Sequence, residues 1–172
     1  FLASQEFMSR VHFAEWITDS RFILDRIEEI NRAPGPFRGR LDLDRIGMLG
    51  WSFGGAAALE TSRIDPRVKA AVNHDGGLYG GVWTHPTTAP FMLIHHGIVD
   101  PDPPGSRGLS MSEMFRILVG YDSTAKALAK GDWYDLKIAK TNHGSFSDFP
   151  LLVQWGAELL PGRRGHDIIT AY

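Results

Sequence analysis

The chain has 172 residues, of which 43% are hydrophobic, and this is enough for one globular domain with a sizeable core. A net charge of −2, without any basic run, does not favour nucleic acid or an anionic membrane as a partner. The absence of cysteine excludes disulfides and thiolate metal sites, and no apolar run approaches the roughly 20 residues of a membrane span.

Patterns typical of helices and strands alternate along the chain. Apolar residues recur at helical spacing over residues 17–30, and the sequence Ala33-Pro34-Gly35-Pro36 ends that helix. Strands are predicted at residues 46–49, 68–73, 91–95 and 133–139. Further helices are predicted from the turn after the first strand to about Arg63, and over residues 111–129, 148–160 and 167–172. Strands separated by helices predict a single α/β domain over residues 1–172, with a parallel sheet flanked by helices.

Residues 50–54 read G-W-S-F-G, a complete G-x-S-x-G motif between the first predicted strand and the helix that follows it. In this context of strand, tight turn and helix, the motif places a serine nucleophile on a strained turn. We expect Gly50, Gly54 and Gly55 to be needed, because a Cβ at these positions would clash where strand and helix cross. The motif therefore predicts Ser52 as a catalytic nucleophile.

A serine nucleophile needs an orienting acid and a base, here expected in the chain order serine, acid, histidine. His143 is the predicted base because it follows the fourth strand and precedes Gly144, which gives its loop conformational freedom. The other six histidines are less suitable. Among them, His95 and His96 end an apolar strand, where we expect packed side chains that are hydrogen-bonded to the backbone. Neighbours on a strand point to opposite faces, so we predict no metal site there.

Two aspartates are candidates for the acid that orients His143. Asp100 follows the third predicted strand, as in the commonest arrangement, but it also precedes a proline as turn aspartates often do. Asp75 ends the second predicted strand, where it could simply cap the Gly76-Gly77 turn. Chain order alone leaves the two aspartates nearly equal.

An irregular stretch at residues 76–89 follows a strand end, the place where α/β sheets hold their ligands. Apolar side chains there and beside the serine could line a pocket for the acyl or alcohol part of a substrate. Packing in the loop and the core is an equally good interpretation of the same side chains. The candidate substrate-binding residues are Trp51, Leu78, Tyr79, Trp83 and Met111.

Four short segments match the motifs of one known family. They are Gly39-Arg40-Leu41-Asp42, residues 50–55, Asp65-Pro66-Arg67-Val68 leading to Asp75-Gly76, and residues 143–149, which read H-G-S-F-S-D-F. Through them the chain resembles the plasma-type platelet-activating-factor acetylhydrolase family and its bacterial lipase-like relatives, within the α/β-hydrolase superfamily. The resemblance covers about residues 39–149, and its last segment is the most specific. Trp51 stands where many relatives carry histidine.

The resemblance implies an esterase in which Ser52, Asp75 and His143 form the catalytic triad, because this family takes its acid from the strand directly after the nucleophile. The Phe53 N–H would then help to bind the oxyanion. Carboxylic esters of small molecules or lipids are the implied substrates, and no cofactor or metal is implied.

The superfamily has three or four strands before the helix that precedes the serine, and none of them is found in this sequence. We therefore expect the C-terminal portion of an α/β-hydrolase domain, with a missing N-terminal polypeptide packed against strand 46–49 that supplies a second oxyanion donor. The chain alone is then expected to be poorly soluble or nearly inactive. The alternative function is a non-catalytic half that must associate with a complementary fragment.

Overall fold

The structure is a computed structural model that describes residues 12–97 and 111–147, without the side chains of residues 111–119. Within these ranges the helices and strands follow the order that the sequence predicted. They are α1 (Phe13–Arg32), β1 (Ile46–Trp51), α2 (Phe53–Ile64), β2 (Val68–His74), β3 (Phe91–His96), α3 (Met111–Leu128) and β4 (Trp133–Ile138). Short 3₁₀ turns lie at Leu43–Arg45 and His143–Phe146. The predicted helices at 148–160 and 167–172 lie outside the described residues.

The four strands form one parallel sheet in the order β1-β2-β3-β4, which confirms the predicted fold class. The register pairs Trp51 with His74, and His74 with Ile94. Because all four strands run in the same direction, the residues that follow them emerge together at one end of the sheet, which we call the carboxyl edge. Open α/β sheets bind their ligands at this edge.

The main core lies between the sheet and the two helices α2 and α3, which contribute to the same cluster of buried side chains. Leu59 of α2 is fully buried there, and burial of such a side chain contributes about 1.5–3 kcal/mol. The other buried members are Ala71, Leu78, Val82, Phe91, Leu93 and Ala125. A second cluster, formed by Phe13, Ala56 and Ala57, joins α1 to α2. None of the helices within the described residues has the length and hydropathy needed for a membrane span.

A cluster of ion pairs holds α1 against the turn before β2. Asp65 accepts hydrogen bonds from Arg67 at 2.7 Å and from Arg21 at 3.3 Å, and its side chain is only 4% exposed. Arg67 in turn donates to Asp25 and Glu28 of α1, at 2.6 and 3.1 Å. The hydrogen bonds from Arg67 outweigh burial and lower the pKa of Asp65 to about 2. Asp65 is therefore charged at neutral pH and holds the start of β2 against α1.

Strand β1 forms an edge of the sheet among the described residues. Its side chains alternate between half-buried and exposed positions, and Leu49 is 73% exposed. Strands of parallel sheets are normally covered on both faces. An edge strand also presents unpaired N–H and C=O groups, which can pair with another strand. The edge of β1 therefore has the capacity to pair with further polypeptide.

Candidate active site

Ser52 occupies the turn between β1 and α2, at the carboxyl edge. Its φ of 55° and ψ of −124° form a backbone conformation that costs residues other than glycine on the order of 1–3 kcal/mol. The Ser52 N–H donates to the His74 carbonyl at 2.8 Å, so pairing with β2 continues into the turn. The Ser52 carbonyl accepts from Gly55 and Ala56 at 3.0 and 3.2 Å and begins α2. These bonds fix the serine at the junction of strand and helix.

Close backbone approach requires two of the three glycines expected around the serine. A Cβ on Gly50 would lie 2.4 Å from the Gly54 carbonyl carbon. A Cβ on Gly55 would lie 2.2 Å from Asn73 Oδ1 and 2.6 Å from the Gly50 carbonyl oxygen. The expectation for Gly54 is wrong, because a Cβ there would meet Trp16 Cζ3 at an ordinary 3.7 Å. Gly54 lies on the side of α2 that faces α1, away from the crossing of strand and helix.

Alanine substitutions at Gly54 and Gly55 should therefore differ sharply in stability. Gly55→Ala forces a methyl group into Asn73 and the strand backbone, and should lower the free energy of unfolding by about 1–3 kcal/mol. Gly54→Ala fits the available space and favours the helix, so the free energy of unfolding should stay the same or rise by up to ~1 kcal/mol. Urea unfolding of the two variants measures the difference, and equal losses would contradict the geometry at Gly54.

Three of the predicted site residues form one hydrogen-bonded chain at the carboxyl edge. His143 Nε2 lies 3.0 Å from Ser52 Oγ, and His143 Nδ1 lies 2.7 Å from Asp75 Oδ2. Asp75 directly follows β2 with a φ of 57°, and its N–H donates to the Ile94 carbonyl at 2.7 Å. A hydroxyl, an imidazole and a carboxylate therefore lie within hydrogen-bonding reach of one another, as nucleophilic catalysis by serine requires.

The turn that carries His143 is held by its neighbours. The Asn142 side chain accepts from the Ser145 N–H at 3.1 Å, and the Ser145 hydroxyl accepts from the Asn142 N–H at 3.1 Å, which completes a capping box. The Trp51 indole N–H donates to the His143 carbonyl at 3.0 Å, and the two ring centroids lie 4.9 Å apart. Trp51, which we predicted to contact substrate, thus packs against the imidazole and supports its position.

The Asp75 carboxylate is almost buried, with 5% of its side chain exposed. Burial raises its pKa, but hydrogen bonds from the rings of His143 and His96 and from the His96 N–H outweigh burial and hold the pKa well below its usual range. An ionised carboxylate only accepts hydrogen bonds, so both imidazole Nδ1 atoms must carry protons. A neutral His143 then presents Nε2 as an acceptor to the Ser52 hydroxyl.

His96, at the end of β3, is a member of this site that the sequence analysis missed. Its Nδ1 lies 2.6 Å from Asp75 Oδ2, and its N–H donates to Asp75 Oδ1 at 3.0 Å. Where we expected a packed side chain bonded to the backbone, the ring of His96 bonds to the Asp75 carboxylate. The contact follows from the register, because parallel pairing of β2 with β3 brings the residues at their ends together.

His95 also contacts carboxylates instead of backbone, on the α3 side of the sheet. Its Nε2 lies 3.5 Å from Asp122 Oδ2 and 3.4 Å from Asp135 Oδ1. Burial raises the pKa of Asp122 to about 7 and lowers the pKa of His95. The strand alternation predicted from the sequence thus separates His95 from His96, and of these two neighbours it is His96 that bonds to Asp75.

Among the described residues, Asp75, His96 and His143 form a group that could hold a metal ion, since their ligand atoms all lie within 4.8 Å of one another. The two Nδ1–Oδ2 separations of 2.6 and 2.7 Å are shorter than the roughly 3.3 Å between two ligands of a tetrahedral zinc ion. They match charge-assisted hydrogen bonds better. That catalysis at this site needs no metal ion remains our prediction.

Most of the predicted pocket residues pack into the two clusters of buried side chains. Leu78 is 3% exposed and belongs to the main core. Trp83 packs against the same cluster and against Tyr121, with ring centroids 4.7 Å apart. Tyr79 lies 5.3 Å from the ring of Phe53, measured between centroids. These contacts favour the core-packing interpretation. The side chain of Met111, another pocket candidate, lies outside the described residues. So does Asp100, the other candidate for the acid.

Comparison with known protein sequences gives a match over a short segment. No protein-family model matches the chain. Over 36 residues the chain is 58% identical to a probable 1-alkyl-2-acetylglycerophosphocholine esterase from Arthroderma benhamiae, a match that covers 21% of this chain and 9% of the relative.

Comparison with solved structures gives matches over most of the chain. A ferulic acid esterase from Streptomyces cinnamoneus is 28% identical with a TM-score of 0.57, and the match covers 83% of this chain and 36% of that esterase. A dienelactone hydrolase-like promiscuous phosphotriesterase from metagenomic libraries is 20% identical with a TM-score of 0.53, and the match covers 93% of this chain and 57% of that protein. The chain thus spans less than two thirds of the length of each of these proteins.

Proposed function

Because the chain has the α/β-hydrolase fold that its sequence predicted, we propose that it is a serine hydrolase that cleaves carboxylic esters through an acyl-enzyme. The observation that carries the proposal is the hydrogen-bonded chain from Ser52 through His143 to Asp75. The names of the curated relative and of the ferulic acid esterase support ester hydrolysis over the alternative of a non-catalytic half.

In the proposed reaction, Ser52 Oγ attacks the ester carbonyl carbon while His143 Nε2 takes the hydroxyl proton. The tetrahedral intermediate then breaks its bond to the alcohol oxygen, and His143 returns the proton to the leaving alkoxide. A water molecule repeats both steps on the acyl-enzyme, which releases the carboxylic acid and restores the serine hydroxyl. Asp75 keeps the proton on His143 Nδ1 and stabilises the imidazolium.

The start of α2 is proposed to bind the oxyanion. Phe53 is the first residue of α2, where N–H groups have no acceptor within the helix and the helix dipole favours negative charge. The Phe53 ring packs on Phe13, Trp16 and Tyr79, with centroid separations of 5.4, 5.1 and 5.3 Å. These contacts hold the backbone that carries the donor, so we assign one oxyanion bond to the Phe53 N–H.

A second oxyanion donor is proposed to come from polypeptide that pairs with the open edge of β1. In α/β-hydrolases this donor belongs to a loop that follows another strand of the sheet. The exposure of Leu49 and the edge position of β1 among the described residues support this placement. Intact mass and co-purification measurements test it, and a fully active, monodisperse preparation of these 172 residues alone would contradict it.

Short-chain esters of small molecules or lipids are the proposed substrates. The acetylhydrolase-like motifs and the name of the curated relative support an acetyl group as the acyl part. A series of p-nitrophenyl esters of increasing chain length, combined with a fluorophosphonate probe, tests both levels of the proposal. We expect the acetate to be turned over fastest and the probe to label Ser52.

Two contrary results have different meanings. Hydrolysis restricted to long acyl chains would contradict acetyl specificity and leave the serine hydrolase in place. A preparation that includes the polypeptide paired with β1 and is folded by circular dichroism, but neither hydrolyses any ester nor reacts with the probe, would contradict the proposed function itself.

A further inference from the structure

A single residue, His96, donates hydrogen bonds to both oxygens of the Asp75 carboxylate. The ring Nδ1 lies 2.6 Å from Oδ2, and the N–H lies 3.0 Å from Oδ1. Two bonds from one rigid neighbour fix the rotation of the carboxylate about its Cβ–Cγ bond, which a single bond leaves free. The oxygen that meets the His96 ring is the same Oδ2 that meets His143 Nδ1 at 2.7 Å.

We propose that His96 is a positioning residue for the ester hydrolysis inferred above, and that it holds the Asp75 carboxylate in the rotation that presents Oδ2 to His143. The inference rests on the proposed function. His96 needs no contact with the substrate for this role, because it acts on His143 through Asp75.

The burial of this contact makes the orientation by His96 important. The side chains of Asp75 and His96 are 5% and 17% exposed, so water has little access to replace a lost donor. A buried carboxylate that loses a hydrogen bond carries the desolvation cost of a less well satisfied charge. Without the ring donor, the His96 N–H remains at Oδ1 and His143 Nδ1 remains at Oδ2. Oδ2 would then be held by the same imidazole that it has to orient, so the carboxylate could rotate together with His143 away from the position that serves Ser52.

A pair of substitutions at residue 96 isolates the ring donor. Asparagine and leucine share one branched shape, but only asparagine carries an N–H donor near the place of the imidazole Nδ1. His96→Leu should lower kcat about 10–100-fold with little change in KM, by analogy with groups that orient metal-ligating side chains through a hydrogen bond. His96→Asn should restore kcat to within about fivefold of the unsubstituted protein.

A double-mutant cycle with Asp75→Asn separates positioning from general structural damage. If His96 acts through Asp75, adding His96→Leu to Asp75→Asn should lower kcat by less than about twofold more. If the losses multiply and the free energy of unfolding falls in parallel, His96 has only a structural role and the inference is overturned.

Three further results would also overturn the inference. Unchanged kcat in His96→Leu, beside a large loss in Asp75→Asn, removes the role of His96 and leaves the proposed function intact. If Asp75→Asn also keeps full activity, the proposed triad fails as well. Loss of activity on treatment of the unsubstituted protein with EDTA, with bound metal found by elemental analysis and missing from His96→Leu, would make His96 a metal ligand instead.

Discussion

Replacing Ser52 with alanine should abolish ester hydrolysis and fluorophosphonate labelling, while the chain remains folded. The substitution removes the oxygen that lies 3.0 Å from His143 Nε2, and loss of a triad serine typically lowers kcat by about 10⁶-fold. Alanine carries the same kind of Cβ as serine at φ 55°, so the strain of the turn is unchanged. Initial-rate kinetics with the preferred ester, together with circular dichroism, measure the two effects separately.

Ser62→Ala is the matched control for this substitution. Ser62 is a buried serine of α2, the helix that follows Ser52, and its hydroxyl donates to the Leu59 carbonyl at 2.7 Å. Its loss should leave kcat and labelling close to those of the unsubstituted protein. If the Ser52→Ala protein were still labelled, at Ser145 or Ser147, the assignment of the nucleophile would be wrong.

The alternation of helices and strands could be predicted from the sequence because each element carries its own local signal. The short apolar run at residues 46–49 and the glycines after it define a strand and a tight turn without reference to the rest of the chain. The helix ending at Arg32 and the strand beginning at Trp133 were found in the same way. Which strands pair, and in which register, depends on contacts between distant segments, so the order of the sheet needed the structure.

The same distinction between local signals and contacts between distant segments applies to the candidate site. Ser52 and His143 lie in short motifs that can be read locally, whereas Asp75 and Asp100 both follow predicted strands and could be ranked only by family resemblance. The contact of His96 with Asp75 depends on the β2–β3 register, and alternation along β3 alone could not reveal it. Gly54 illustrates the opposite error, because a Cβ on this motif glycine would make only an ordinary contact, 3.7 Å from Trp16 of α1.

Asp75→Asn should lower kcat about 10⁴-fold, because an amide at this position selects the wrong tautomer of the base. The donors around the carboxylate determine how the substituted amide is oriented. The His96 N–H lies 3.0 Å from Oδ1 and can only donate, so the amide oxygen of the substituted residue must face it. The amide NH₂ group then takes the place of Oδ2, where it meets the Nδ1 atoms of His96 and His143. Each Nδ1 can accept from it only if the ring proton moves to Nε2.

In that tautomer His143 presents a proton to Ser52 Oγ and cannot take one, so the first step of ester cleavage loses its base while the fold and the substrate contacts persist. Asp122→Asn removes a comparably buried carboxylate on the α3 side of the sheet, and it should leave kcat nearly unchanged. Asp100→Asn tests the other candidate acid under the same assay. A larger loss in Asp100→Asn than in Asp75→Asn would assign the acid to Asp100 and make the 2.7 Å contact between Asp75 and His143 a structural one.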